Sequence, residues 1–183
     1  MRHSRTKSIL ILLAMFSLAI IATACSTGKG SGEEGDFVLN LYTESGEITG
    51  DSVVFDELVA NDDRPILLNF WASNCPPCRA EMPAFELAWQ EYGDQVLIIG
   101  VDVGPYVGLG SFEGGKKLVN DLGITYPTGS TTNRSVATDW QLSSMPSTYL
   151  LRSDGRVHDI VIGGIPSSRI SQKLLELIAV EAS

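Results

Sequence analysis

The sequence predicts an α/β fold, a central mixed β-sheet flanked by helices. Three observations predict it. Two apolar runs, ILLNFW at 66–71 and QVLIIGVDV at 95–103, have the length and composition of fully buried strands. A helical pattern over 80–92, closed by Gly93, separates them, so the two strands run parallel with that helix as their crossover. Two further strands, 147–152 and 156–163, flank Ser153-Asp154-Gly155, a hairpin signal that adds an antiparallel pair.

The other elements follow in chain order. Residues 36–43 alternate apolar and polar (Phe37, Leu39, Leu41), as an edge strand does, and 44–47 form its turn. Residues 53–60 are a short apolar piece that bends into one helical turn. Pro83 lies inside the 80–92 helix and is expected to kink it near residues 79–82, because it removes a backbone hydrogen bond. Residues 104–115 are glycine-rich and read as a loop. Residues 112–122 form a helix with Gly123 as its C-cap, 124–127 a short strand, 128–133 a polar loop and 135–140 a short helix. The chain closes on an amphipathic helix over 167–180, with Ile170, Leu174, Leu177 and Ile178 on one face. Trp89, Tyr92 and Trp140 read as packing residues, and His158, amid polar neighbours, as solvent-facing.

A chain of 183 residues, 44% hydrophobic, suits one domain (36–183) plus a short processed segment. Arg2, Arg5 and Lys7 precede a 14-residue run, 9–22, that is apolar except for Ser17. This is the layout of a secretory signal peptide over residues 1–24. The run ends in Ala22-Thr23-Ala24-Cys25, which resembles a bacterial lipobox with Cys25 as the lipid-modified first residue, although Ala22 stands where leucine is usual. The alternative is plain cleavage after Ala24, leaving Cys25 a free thiol. Residues 25–35 (CSTGKGSGEEG) lack apolar residues apart from that cysteine and form a flexible tether. Without residues 1–24 the chain has 10 Lys and Arg against 22 Asp and Glu, a net charge of −12. That balance argues against nucleic acid as a partner and against a basic membrane-binding face, so anchoring would rest on acyl chains.

The chemistry concentrates at Cys75-Pro76-Pro77-Cys78, where the first buried strand meets the helix. Two residues between cysteines at a helix start bring the sulfurs together. Cys75 sits where unpaired amides and the helix dipole favour a thiolate, and Pro76 occupies the first helical position at no cost. Cys75 is therefore the nucleophile and Cys78 the resolving thiol of a disulfide exchange. The competing reading, half of a zinc site, needs a second ligand pair. Outside this motif the chain has one cysteine and two histidines.

The wording Asn69-Phe70-Trp71-Ala72-Ser73-x-Cys75-Pro76-Pro77-Cys78, with Glu81 three residues on, resembles the TlpA/ResA type of extracytoplasmic thiol-disulfide oxidoreductase in the thioredoxin superfamily. The resemblance covers roughly 36–180. It implies a thioredoxin-like fold with an N-terminal hairpin and helix at 44–60 and a helix-strand insertion at 112–127. It implies a cis peptide at Met145-Pro146 packed against the cysteines, with the Met145 backbone pairing with an extended partner segment. On its own that dipeptide reads as an ordinary trans proline opening a strand. Glu81, on the same helical face as Cys78, is a candidate proton relay; the bland reading is a first-turn carboxylate in water. Plain thioredoxin has a buried aspartate where this chain has Asn69, so a carboxylate relay falls to Glu81. Trp71 is expected to pack beside the site and contribute to partner binding, and Asn74 replaces an aromatic common at the rim.

The implied activity is reduction of disulfides in partner proteins, for example apocytochrome c, by a lipid-anchored protein outside the cytoplasm. A membrane electron donor would re-reduce it, with no metal or organic cofactor. Three rivals share the motif. A peroxiredoxin-like peroxidase would want a proline and a threonine that residues 69–74 lack. A copper-binding module would use Cys75 and Cys78 with Met145 or His158. A scaffold would keep the disulfide permanently formed.

Overall fold

The computed structural model describes residues 35–43, 45 and 48–183. The signal segment, Cys25 and most of the tether fall outside the described residues, as do Glu44, Gly46 and Glu47 of the first turn. The strands are β1 (Val38–Leu41), β2 (Ser52–Val54), β3 (Ile66–Trp71), β4 (Leu97–Asp102), β5 (Thr128–Ser130), β6 (Ser147–Leu151) and β7 (Val157–Ile162). The helices are α1 (Phe55–Asn61), α2 (Pro76–Tyr92), α3 (Gly104–Val107), α4 (Phe112–Leu122), α5 (Val136–Asp139) and α6 (Ser167–Glu181).

The strands form one mixed sheet in the order β2-β1-β5-β4-β3-β6-β7. β3 runs parallel to β4 and antiparallel to β6, as the two apolar runs and the hairpin predict. Every residue of β3 and β4 is buried because both faces of these central strands are covered, which is why their sequences read as continuous apolar runs. On one face Leu67, Trp71, Ile98 and Leu150 meet α2, α4 and α6. On the other, Trp140 sits in an aromatic cluster with Phe37, Phe55, Phe70 and Tyr149, at ring-centroid distances of 5.1 to 6.2 Å.

Three expectations change. β1 is not an edge strand: β2 pairs on one side of it and β5 on the other. The expected strand at 124–127 lies instead at 128–130, within the segment read as a polar loop. Thr128 is fully buried because its hydroxyl donates to the Gly100 carbonyl, 3.0 Å away, so its polarity is satisfied inside the sheet. The stretch 104–115 is not all loop; it contains α3 and the start of α4. α2 begins at Pro76, the first helical position expected, and extends past Pro83 to Tyr92. The prediction for α4 holds at both ends, with Ser111 accepting from the Gly114 amide and Gly123 at φ +64° as its C-cap.

Candidate active site

The site forms where β3 stops and α2 starts. The Cys75 amide donates to the Ala72 carbonyl at 3.1 Å, which turns the chain. Cys75 is then the N-cap of α2, with extended backbone, and its sulfur accepts from the Cys78 amide at 3.3 Å. Cys75 and Cys78 are joined by a disulfide, with their Cα atoms 5.3 Å apart. Cys75 is 2% exposed and Cys78 wholly buried, so the disulfide meets solvent through its first sulfur. Pro76 and Pro77 carry no N–H, so the Cys78 amide is the helix-end donor that reaches the Cys75 sulfur, and with the helix dipole it favours a thiolate once the bond is reduced.

The Met145–Pro146 peptide is cis. Pro146 is buried, and Met145 is half-buried against the apolar cluster that contains both cysteines. The Gly163 amide donates to the Pro146 carbonyl at 2.8 Å, which ties the end of β7 to this turn. The next residue, Gly164, lies so close to the motif that a Cβ there would sit 3.3 Å from the Pro77 side chain and 3.8 Å from a Glu81 oxygen. Asn74, Pro76 and Pro77 are exposed and, with Met145, make the rim. Trp71 differs from expectation. Its side chain is entirely buried in the cluster beneath the disulfide, so it supports the site and offers no surface to a partner.

Glu81 is 3% exposed. One carboxylate oxygen accepts from the Asn69 side-chain amide at 3.0 Å, the other from the Ile165 backbone amide at 2.9 Å. Burial dominates these two bonds and pushes the carboxyl up to about 7. A carboxyl that exchanges its proton near neutrality, one helical turn from Cys78, can accept a proton from that thiol.

Sequence reasoning missed a second buried carboxyl. Asp102 lies directly opposite Trp71 in the β3–β4 register. It is fully buried and accepts from the Tyr42 hydroxyl at 3.1 Å and the Gly104 amide at 2.9 Å. Burial pushes it up to about 6. The signal was an aspartate inside the otherwise apolar run 95–103. Ile165 and Gly164 were also missed, since nothing local marks a backbone contact to a helix more than 80 residues upstream. His158 is exposed on β7, four residues or about 13 Å along the strand from Ile162, and so stands away from the cysteines. Among the described residues no three His, Cys, Asp or Glu side chains are grouped to hold a metal ion.

This fold, with a cis-proline loop packed against a helix-capping Cys-x-x-Cys, defines a thiol-disulfide oxidoreductase of the thioredoxin-like class. The chain belongs to the AhpC/TSA family, which matches residues 36–160, and within it is of the TlpA/ResA type. It is 27% identical over 180 residues to the thiol-disulfide oxidoreductase ResA of Oceanobacillus iheyensis, covering 94% of this chain and 87% of that one. It is 33% identical over 114 residues to the thioredoxin-like protein YneN of Bacillus subtilis, a match that spans 61% of this chain and 64% of YneN. Its fold is similar to that of the exposed lipoprotein thioredoxin Etrx1 of Streptococcus pneumoniae, with a TM-score of 0.63, 22% identity, and coverage of 78% of this chain and 99% of that one.

Proposed function

We propose that this oxidoreductase reduces disulfides in partner proteins outside the cytoplasm while tethered to the cell membrane by a lipid on Cys25. The observation that carries the reading is the Cys75 sulfur at the mouth of α2, with the Glu81 carboxyl buried one turn behind Cys78. In the reduced protein the Cys75 thiolate attacks a partner disulfide and forms a mixed disulfide, and the partner's leaving sulfur takes up a proton. Glu81 accepts the proton of Cys78. The Cys78 thiolate then attacks the Cys75 sulfur, closing the enzyme disulfide, and the second partner sulfur leaves and is protonated. Two electrons have passed from the enzyme dithiol to the partner. The Met145 backbone, ahead of cis-Pro146, pairs with an extended stretch of the partner during this exchange.

The anchoring half of the reading rests on residues 1–25 and on the described lipoprotein character of the structural neighbour Etrx1. Among the described residues no helix is long and apolar enough to cross a membrane. The likeness to ResA-type oxidoreductases supports apocytochrome c before haem attachment as one substrate, with a membrane electron donor restoring the dithiol. The test is a redox titration of the Cys75–Cys78 couple together with trapping on a Cys78→Ser variant. A reductant should titrate near the thioredoxin value of about −270 mV and retain extracytoplasmic proteins as mixed disulfides on Cys75. A couple near about −120 mV, the range of disulfide-forming enzymes, would overturn the direction proposed here.

A further inference from the structure

Asn69 is fully buried in the centre of β3, on the face covered by α2. Its amide nitrogen makes two hydrogen bonds, one to Glu81 at 3.0 Å and one to the Thr148 hydroxyl at 2.9 Å. Thr148 is its register partner on β6, so the sheet itself fixes the plane of the amide. With one N–H committed to Thr148, the other points at the Glu81 carboxyl. Turning the amide over would set its carbonyl oxygen against the carboxylate and lose the bond to Glu81, although the Thr148 hydroxyl could still donate to it. The arrangement has a cost: the Asn69 carbonyl oxygen is buried and has no hydrogen-bond partner. A residue chosen for stability alone would be apolar here, like Leu67 on the same face. A position that gives up stability in the core to present a donor is where functional demand is expected.

We infer that Asn69 is the positioning residue of this site: it holds the Glu81 carboxyl one helical turn from Cys78 and acts on the reaction through that carboxyl alone. The inference rests on the proposed role of Glu81 as proton acceptor. Other groups facing Glu81 do not substitute for Asn69. The Ile165 amide holds only the second oxygen. Tyr126 is the titratable side chain that senses the Glu81 charge; burial and the charges of Glu81 and Glu86 keep its phenol protonated. The same geometry explains why an amide stands at position 69. An aspartate there would place a second carboxyl about 3 Å from the first, and the two would share one proton.

The experiment uses the reduced full-length protein carrying Cys25→Ser, so that Cys75 and Cys78 are its only thiols, and 5,5′-dithiobis(2-nitrobenzoate). The first thionitrobenzoate released reports attack by Cys75, and the second reports resolution by Cys78. In the unaltered protein the second step should rise with pH around a midpoint of about 7, in line with the Glu81 carboxyl. In Asn69→Leu the midpoint should move up by about one unit, making that step about tenfold slower at pH 6, as loss of a hydrogen bond to a charged oxygen predicts. In a Glu81→Gln background, Asn69→Leu should change nothing further. An unmoved midpoint in Asn69→Leu, or an equal extra loss in the Glu81→Gln background, overturns the inference while leaving the relay standing. A Glu81→Gln profile identical to the unaltered protein, read with Asn69 in place, overturns the relay and the inference with it. Should Asn69→Leu fail to fold, carbon-13 NMR of the isosteric Asn69→Asp decides. The inference expects two coupled titration steps for the carboxyls, and a single Glu81 step near 7 overturns it.

Discussion

The two halves of α2 each bury a glutamate and do opposite things with it. Glu81, near the disulfide, receives two hydrogen bonds, and burial wins: its carboxyl is pushed up to about 7. Glu86, five residues on, receives bonds from the Thr125 amide at 2.7 Å, the Thr125 hydroxyl at 2.6 Å, the Tyr126 amide at 3.3 Å and the Gln90 amide at 2.9 Å. Those donors outweigh burial and hold it below the usual carboxylate range. Glu86 is thus a permanent anion that fastens the approach to β5 onto the helix. Burial alone does not make a reactive carboxyl; burial with too few donors does.

Breaking the reactive half should have the largest effect. Cys75→Ser should abolish disulfide exchange with any partner, measured as loss of insulin or thionitrobenzoate-disulfide reduction, while the far half of α2 keeps its fold. Glu81→Gln should come next, slowing resolution by Cys78 by roughly 10²-fold, the lower range for removing a positioned proton acceptor. It should also change the pH dependence of stability. The folded carboxyl at about 7 keeps a proton that the unfolded chain loses near 4.5. Stability therefore falls as pH rises through that window, by about 3 kcal/mol in all. Glu81→Gln should flatten that slope in urea titrations between pH 4.5 and 7, leaving the smaller contribution of Asp102, which has the same sign. Glu86→Gln should have the smallest effect and of a different kind. It sets an amide N–H against the donors of Thr125 and Tyr126, costing about 1–3 kcal/mol in denaturant midpoint with the exchange kinetics unchanged. A kinetic defect in Glu86→Gln, or a normal resolution rate in Glu81→Gln, would erase the contrast between the halves.

Much of this was legible in the chain because the signals are local. β3, β4 and the β6–β7 hairpin follow from apolar runs and a turn, and α4 follows from its glycine cap. β5 escaped because its residues are Thr, Gly and Ser. It is a strand by virtue of backbone pairing with β4 and β1 and a hydroxyl bonded within the sheet, and hydropathy does not register either. The cysteines and Glu81 are legible from spacing along one helix. The cis peptide at Pro146 was legible only through resemblance. Asn69 was read as the lack of an acid. Its meaning depends on Glu81 being folded over it from 12 residues away and on Thr148 beside it from 79. Trp71 packs beside the cysteines as its place in the sequence suggests, but that nearness does not show that it is wholly covered and so offers no surface for docking.

The first described residues enter the domain on the layer away from α2. The Gly35 carbonyl accepts from the Trp140 indole at 3.1 Å, and the Asp36 carbonyl from the Asn133 amide at 3.3 Å. Residues 35 and 36 and the two sulfurs are thus on opposite sides of a seven-stranded wall. A client docked at the rim formed by Asn74, Pro76, Pro77 and Met145 would therefore not meet the point at which the described chain begins.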